Sequence, residues 1–328
     1  MTVMNVRRLI PTAVVAGSVA LGLTALSGCA GSDATDRGSG DKLKVVASFY
    51  PMQFLAEEIG GKHVDVTTLT KPGVEPHDLE LTPRQIGGLS DADYVLYLKG
   101  IQPAVDDAIA QSGVKDSVDA AKLTTLEDHG AEVGGHEGEH GHEGEHGHEH
   151  EGGEAGADPH IWLDPVKYAE VAKGVGKSLQ KADPDHAADY AKNTTALVDR
   201  LGALNTSFET GLRDTATKTF ITTHSAFGYL AERYGLTQEG IAGIDPEAEP
   251  SPARIQEIHT VAEKSRATTV FFETLASDKT ARTLAKDTGL KTDVLDPLEG
   301  ITGASKGADY IEVMESNLTA LQKALGAK

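Results

Sequence analysis

The chain has 328 residues, of which 39% are hydrophobic and 24% charged, enough apolar material for a folded core and a length that suggests two domains. Its 50 acidic residues outnumber 30 Lys and Arg, and this net charge of -20 argues against nucleic acid as a partner, because phosphate binding needs a basic surface. The single Cys excludes an intramolecular disulfide and a thiolate-only metal site.

The N-terminus has the pattern of an export signal. Arg7 and Arg8 precede an uncharged run that ends in the tetrapeptide LSGC at Cys29. A basic segment before an apolar run is typical of a secretory signal. The LSGC sequence resembles the lipobox of bacterial lipoproteins. That resemblance implies a lipoprotein signal peptide over residues 1–28 and a diacylglycerol on Cys29.

A transmembrane anchor is the alternative interpretation, since the apolar run could just span a bilayer. Pro11, Gly17 and Gly22 weaken such a helix. The following residues, 29–42, are rich in Gly, Ser, Asp and Thr and predict a flexible tether between membrane and folded domain.

An α/β pattern then occurs twice. In the first half, 43–182, the predicted strands are 43–48, 64–69 and 94–98, and the helices are 51–59, 83–89 and 102–110. In the second half, 213–328, the predicted strands are 220–223, 268–272 and 292–295, and the helices are 226–234, 278–287 and 309–325. Such alternation predicts an α/β fold with a mostly parallel sheet in each half, flanked by helices.

One long connector helix is predicted between the halves, over 183–212. Asp183 and Pro184 resemble an N-cap followed by Pro at the first helical position. Apolar residues then recur at intervals of three and four from Tyr190 to Leu212. A coiled-coil dimer is the alternative, but the stripe is short and includes a Thr, which favours a monomer whose helix packs across both halves.

A low-complexity insert, about 127–157, interrupts the first half. It repeats GHEGEH, contains no Lys or Arg and has no apolar periodicity, so it predicts a disordered loop. Many imidazoles beside carboxylates predict weak, auxiliary metal capture, with a solvated acidic linker as the alternative. The histidines concerned are His129, His136, His140, His142, His146, His148 and His150.

The metalloprotease motif H-E-x-x-H occurs twice in this insert, from His136 to His140 and from His142 to His146. A zinc protease needs the motif on a rigid helix, so that both imidazoles and the Glu face one metal. A Gly-rich repeat lacks that rigidity. We therefore do not interpret the motif as a protease site.

Three histidines outside the insert are the candidate metal ligands. His77 follows the predicted strand 64–69, His224 follows the predicted strand 220–223, and His160 lies in the segment DPHIWLDP. In open α/β sheets, ligands bind beyond the carboxyl ends of the strands. The Pro residues before His77 and His160 stiffen both loops, which favours preorganised ligands.

Four segments, in order, resemble a known family. EPHDLELTP, DPHIWLDP, THSAFGYLAERYGL and VLDPLEG followed by YIEVMESNL are similar to the metal-binding solute-binding lipoproteins of ABC transporters, the zinc and manganese group. The resemblance extends from about residue 43 to the C-terminus. It implies two α/β lobes joined by one long helix, with the metal in the cleft between the lobes. The His-rich insert is typical of the zinc branch.

The resemblance also implies the ligands. His77, His160 and His224 correspond to three His ligands, and the manganese branch generally has a carboxylate in place of His224. Imidazole suits zinc, whereas oxygen-rich sites suit manganese. Three His and one carboxylate would complete a tetrahedral Zn²⁺ site.

The fourth ligand has several candidates. Glu299 has the longer reach and is the position that zinc-branch relatives imply, Asp296 is the alternative, and a water or Glu75 remains open. Glu273, at the end of the predicted strand 268–272, is either a partner of a ligand or a member of a buried ion pair.

The predicted function is capture of zinc at the extracytoplasmic face of the cell membrane and its delivery to an ABC permease with its ATPase. A site with four protein ligands has no open position for an activated water, so we predict that the protein is not an enzyme. The alternatives are a manganese or iron solute-binding protein and a zinc-binding surface adhesin. Because ligand imidazoles must be neutral, zinc affinity should fall as the pH drops from about 7 to 5.

Overall fold

Two four-stranded parallel sheets form the core of the computed structural model, which describes residues 42–114, 116–129 and 157–328. The first sheet has the order β2-β1-β3-β4 and comprises β1 Leu43–Ala47, β2 Val64–Thr68, β3 Tyr94–Tyr97 and β4 Ser117–Asp119. The second has the order β6-β5-β7-β8 and comprises β5 Thr219–Thr222, β6 Thr237–Gly240, β7 Thr269–Phe272 and β8 Lys291–Val294. The predicted α/β fold of two lobes with parallel sheets is confirmed.

Helices cover the faces of the sheets. They are α1 Tyr50–Gly60, α2 Pro83–Ser90, α3 Pro103–Ser112, α4 Pro165–Ala182, α5 Ala187–Leu212, α6 Gly228–Arg233, α7 Pro252–Ser265, α8 Lys279–Thr288 and α9 Tyr310–Leu325. Four elements, β4, β6, α4 and α7, were not predicted from the sequence. The strands β4 and β6 are short edge strands of mostly polar residues, so they lack the apolar run that indicates a strand.

The helices α4 and α7 carry start signals that composition alone does not reveal. The Asp164 carboxylate accepts a hydrogen bond from the Val166 N–H, and Pro165 occupies the first turn of α4. At the start of α7, the Ser251 hydroxyl accepts a hydrogen bond from the Arg254 N–H, and a Pro again occupies the first turn. A capping side chain followed by Pro satisfies a free N–H group and presets the helical φ angle.

The long helix α5 has 26 residues and a length of about 39 Å. Its buried stripe is the predicted one: Tyr190, Thr194, Leu197, Leu201, Leu204, Phe208 and Leu212. It packs against α1 and α4 of the first half and against α9 of the second. One hydrophobic cluster therefore continues from one sheet to the other along this helix.

The start of α5 differs from the prediction. Asp183 terminates α4, since its N–H donates to the Leu179 carbonyl, and Pro184–His186 forms a separate 3-10 turn. The Asp183 carboxylate accepts hydrogen bonds from His186 Nδ1 and the Tyr190 hydroxyl instead of capping the α-helix. The α-helix consequently begins at Ala187, four residues after the predicted start.

Trp162 packs between elements of the two halves. It is fully buried, its Nε1–H donates to the Pro297 carbonyl at 2.7 Å, and its own carbonyl accepts from the Tyr310 hydroxyl at 2.6 Å. The Phe49 ring meets it edge-on at 5.1 Å. Residues 41–328 form one compact unit by their internal contacts.

Several predictions lie outside the described residues. They concern the signal peptide over 1–28, Cys29, nearly all of the tether, and the insert histidines His136, His140, His142, His146, His148 and His150. Among the described residues, no helix combines the length and apolar character needed to cross a membrane.

Candidate metal centre

Four side chains from separate segments meet between the two sheets. His77 lies in the loop after β2, and His224 is two residues beyond the end of β5. Glu299 lies in the loop after β8, and His160 immediately precedes the 3-10 turn that leads into α4. Because parallel strands end at the same edge of a sheet, the loops after β5 and β8 lie together at one edge of the second sheet, where the loop after β2 of the first sheet meets them.

One carboxylate oxygen lies at similar distances from all three imidazoles. Glu299 Oε1 is 3.1 Å from His160 Nε2, 3.3 Å from His77 Nε2 and 3.4 Å from His224 Nε2. A tetrahedral zinc site with metal–ligand distances of 2.0–2.1 Å separates its ligand atoms by about 3.3 Å. The oxygen–nitrogen distances match this value, but the three imidazoles do not form one group of atoms within 4.8 Å, so they would have to draw together to complete a tetrahedron around a zinc ion.

Five side chains form two overlapping groups of closely spaced metal-binding atoms. His77, His160 and Glu299 offer atoms that all lie within 4.8 Å of one another, and Glu299 also belongs to such a group with His224 and Glu273. Glu299 is therefore the member that joins the imidazole of the second lobe to the two of the first.

The site is buried and contains polar atoms without hydrogen-bond partners. Glu299 and His160 are 0% exposed, and the His77 side chain is 10% exposed. Among the described atoms, His224 Nε2 and Glu299 Oε2 are buried without a hydrogen-bond partner. Buried polar atoms without partners cost free energy, and a bound cation would satisfy both of them.

Ion pairing dominates the electrostatics of this site. Burial raises the pKa of Glu299, but its close contacts with the three imidazoles outweigh burial and hold that pKa well below its ordinary value. Burial lowers the pKa of His160, yet hydrogen bonds to Asp158 and Glu299 raise it above its usual range. His224 follows the same pattern, with the Glu273 and Glu299 carboxylates raising its pKa well above the usual value.

A carboxylate orients each of the two most buried imidazoles. Asp158 Oδ1 accepts from both the backbone N–H and Nδ1 of His160, at 2.9 and 2.8 Å. Glu273 Oε1 accepts from His224 Nδ1 at 2.8 Å. With Nδ1 occupied, Nε2 faces the centre of the site in both rings, and such carboxylate partners raise the basicity of a metal-binding His.

Glu273 was predicted to be a partner of a ligand or a member of a buried ion pair, and its contact with His224 fits both descriptions. The contact of Asp158 with His160 was not predicted. An Asp two residues before His160 can accept from the backbone of that residue in an Asx-turn, and this local signal was present in the DPH sequence.

A strained turn positions Glu299. Leu298 has φ +59°, a left-handed conformation that costs roughly 1–2 kcal/mol for a non-glycine residue. Asp296 holds this turn, because its Oδ1 accepts from the Leu298 N–H at 2.9 Å and its Oδ2 accepts from the Thr274 hydroxyl at 3.1 Å. The Asn317 side chain pairs with the backbone of Asp296, since its Oδ1 accepts from the Asp296 N–H and its Nδ2 donates to the Asp296 carbonyl. The turn directs the Glu299 side chain back towards the imidazoles.

The other candidates for a fourth ligand are placed differently. Both carboxylate oxygens of Asp296 already accept hydrogen bonds, one from the Leu298 N–H and the other from the Thr274 hydroxyl. Glu75 Oε2 accepts from the Asp78 N–H at 3.2 Å, and burial raises the pKa of Glu75 to about 6. Among the described residues, neither side chain belongs to a group of closely spaced metal-binding atoms.

His129 was predicted to be one of the histidines of the insert, but in the structure it makes specific side-chain contacts with the folded domain. The Tyr229 hydroxyl links the two ends of the insert, because it accepts from the Glu127 N–H and donates to the Asp158 carbonyl. His129 Nδ1 donates to Asp158 Oδ2 at 3.1 Å, and this bond raises the pKa of His129 to about 9 against the effect of burial. These contacts fix Glu127 and His129 beside α6, so the predicted insert began too early.

Fold and site together define a class: a two-lobed α/β solute-binding protein with a buried, histidine-rich metal site between its sheets. The sequence model of the family described as "ZnuA: Zinc-uptake complex component A periplasmic" matches residues 45–324. The chain belongs to this family.

Individual relatives agree with this assignment. The "High-affinity zinc uptake system protein ZnuA" of Bacillus subtilis is 39% identical over 312 residues, which cover 93% of this chain and 95% of that protein. The Zn(II)-bound ZnuA-like domain of Streptococcus pneumoniae AdcA has a TM-score of 0.71 and 32% identity, covering 87% of this chain and 99% of that domain. The laminin-binding protein Lmb of Streptococcus agalactiae, described as having adhesin and metal-transporting activity, has a TM-score of 0.74 and 31% identity, covering 86% of this chain and 99% of its own.

Proposed function

We propose that this protein is the zinc-binding component of an ABC-type uptake system, which binds one Zn²⁺ tightly outside the cytoplasm and delivers it to a membrane permease and its ATPase. The observation that carries the proposal is the convergence of His77, His160 and His224 on one oxygen of buried Glu299. These four residues are the proposed zinc ligands. The function is binding and release, and catalysis has no part in it.

The donor set supports zinc over manganese. Three imidazole nitrogens and one carboxylate oxygen match the ligand types and number of a four-coordinate zinc site. Manganese favours a larger number of oxygen ligands. Where the manganese branch generally has a carboxylate, this chain has His224, which offers a nitrogen. The hydrogen bond from its Nδ1 to Glu273 directs its Nε2 towards the centre of the site.

Metal analysis of the purified protein, with the insert histidines replaced, tests this function. We expect close to one tightly bound zinc per chain that survives dialysis, and we expect excess Mn²⁺ to leave it in place. Tight binding of manganese in preference to zinc would contradict the proposal. A strain that lacks the gene should grow poorly in zinc-depleted medium and recover with added zinc, which separates transport from the adhesin alternative.

We further propose that a diacylglycerol on Cys29 holds the protein at the extracytoplasmic face of the membrane, where it acts as a monomer. Replacing Cys29 with Ser should move the protein into the soluble fraction after signal cleavage, because a single lipid-bearing residue would be its anchor. Mass spectrometry of the N-terminus and fractionation measure this. Membrane retention of a chain whose signal has been removed would contradict the lipobox.

Protons should compete with zinc over a higher pH range than the ordinary His pKa suggests. The carboxylates around the site raise the pKa of His160 and His224, while each ligand nitrogen must lose its proton to bind metal. Zinc affinity should therefore still rise with pH above about 7, and binding should release protons. Calorimetry in buffers of different protonation enthalpy measures the release. Constant affinity between pH 7 and 8 without proton release would contradict this expectation.

A further inference from the structure

A second cluster of metal-binding atoms lies at the base of the His-rich insert. His129 Nε2 is 2.7 Å from Glu232 Oε2 and 3.8 Å from Glu127 Oε2. One ligand atom from each of the three side chains lies within 4.8 Å of the other two. Glu232 is carried by α6 of the second lobe, whereas Glu127 and His129 precede the insert in the first.

The same carboxylate orients this imidazole and one of the proposed zinc ligands. Asp158 Oδ1 accepts from His160 Nδ1 at 2.8 Å, and Asp158 Oδ2 accepts from His129 Nδ1 at 3.1 Å. In each ring Nε2 is thereby directed to a glutamate, Glu299 for His160 and Glu232 for His129. A metal-binding His commonly donates its other N–H to a carboxylate in this way, which fixes the tautomer and the ring orientation.

The position of His129 is built into the packing of α6. A Cβ atom at Gly228 would lie 2.4 Å from His129 Cβ and 2.8 Å from Asp158 Oδ2, so a glycine is required for this approach. The Tyr229 ring meets the imidazole edge-on at 4.3 Å. The His129 side chain is only 14% exposed, and its ring is therefore preorganised.

We propose that Glu127, His129 and Glu232 form a second site for a divalent transition metal, which we expect to be zinc. Asp158 lies between this site and the buried centre. The imidazole nitrogen and two carboxylate oxygens are zinc ligands by type, and three protein ligands leave a coordination position for water. The Glu232 side chain is 62% exposed, so the site opens to solvent, whereas Glu299 is 0% exposed.

This second site should bind more weakly than the first. It offers three protein ligands instead of four, and solvent reaches it through Glu232. Lys167 Nζ donates to Glu127 Oε1 at 2.6 Å, which leaves Oε2 for the metal but places a positive charge nearby. The second equivalent of zinc should accordingly bind after the first.

Zinc titration of the mature chain, with the six insert histidines from His136 to His150 replaced by Asn, tests the proposal. We expect two equivalents, one tight and one weaker. Glu232→Gln is nearly isosteric and exposed, and it should weaken the second equivalent about tenfold or more while leaving the first unchanged. His129→Ala should abolish the second equivalent. Glu263→Gln, at an exposed position on α7, is the matched control and should change neither.

Two results would overturn the proposal: a single equivalent in the Asn-substituted chain, or a second equivalent that both Glu232→Gln and His129→Ala leave unchanged. The test is independent of the buried centre. His224→Ala should remove the tight equivalent and preserve the weaker one. Loss of the tight equivalent in His224→Ala can therefore be distinguished from loss of the weaker equivalent in His129→Ala.

Discussion

Replacing His224 with Ala is expected to lower the affinity for zinc by about a thousandfold or more, since the site would lose one of its four proposed ligands and the one proposed imidazole ligand from the second lobe. The side chain is buried, its Nε2 has no hydrogen-bond partner among the described residues, and its Nδ1 is already used by Glu273. Removal of the ring therefore takes away a preorganised nitrogen, and among the described residues these groups of metal-binding atoms contain no other imidazole from the second lobe.

Variants of neighbouring residues should lose less zinc affinity than His224→Ala. Glu273→Gln keeps the His224 ring but removes the charge of its partner, and such changes typically cost 10–100-fold in metal affinity. His259→Ala, on α7 and outside the described metal-binding groups, is the matched His control and should leave affinity unchanged. Competition titration against a chelator measures all three. An affinity of His224→Ala equal to that of the parent protein would show that His224 is not a ligand.

Glu299→Gln and Asp296→Asn should differ sharply in zinc binding, although each replaces one buried carboxylate by its amide. Glu299 Oε1 contacts all three imidazoles, so Glu299→Gln should weaken zinc binding about a hundredfold or more through loss of an anionic ligand. Asp296 serves the turn at Leu298, and an Asn there can still accept the Leu298 N–H bond, so affinity should change less than about tenfold.

The free energy of unfolding provides the control for this pair, because denaturant unfolding of the metal-free variants shows whether an affinity loss reflects damage to the fold. We expect each isosteric change to leave a cooperative transition. A large loss of zinc affinity in Asp296→Asn together with parent-like affinity in Glu299→Gln would make Asp296 the fourth ligand.

Much of the architecture follows from local patterns. Buried strands such as Tyr94–Tyr97 and the apolar stripe of Ala187–Leu212 were visible because apolar periodicity reports burial directly. Strands β4 and β6 escaped because a short polar edge strand derives its stability from its neighbour and not from its own side chains. The boundary at Asp183 was misplaced because the choice between capping α5 and bonding His186 and Tyr190 depends on how α4 ends.

The sequence by itself determined the candidate His ligands and the class of the protein, since motifs of few residue types in a set order identify chemistry without coordinates. Only the tertiary structure gave different contacts to two carboxylates three residues apart, because the left-handed turn at Leu298 directs Glu299 towards the imidazoles and Asp296 accepts the Leu298 N–H. The tertiary structure alone also showed that Asp158 links His160 to His129. The contact between Asp158 and His129 joins residues far apart in the chain, and no periodicity or local spacing encodes it; it arises when α6 packs against the base of the insert.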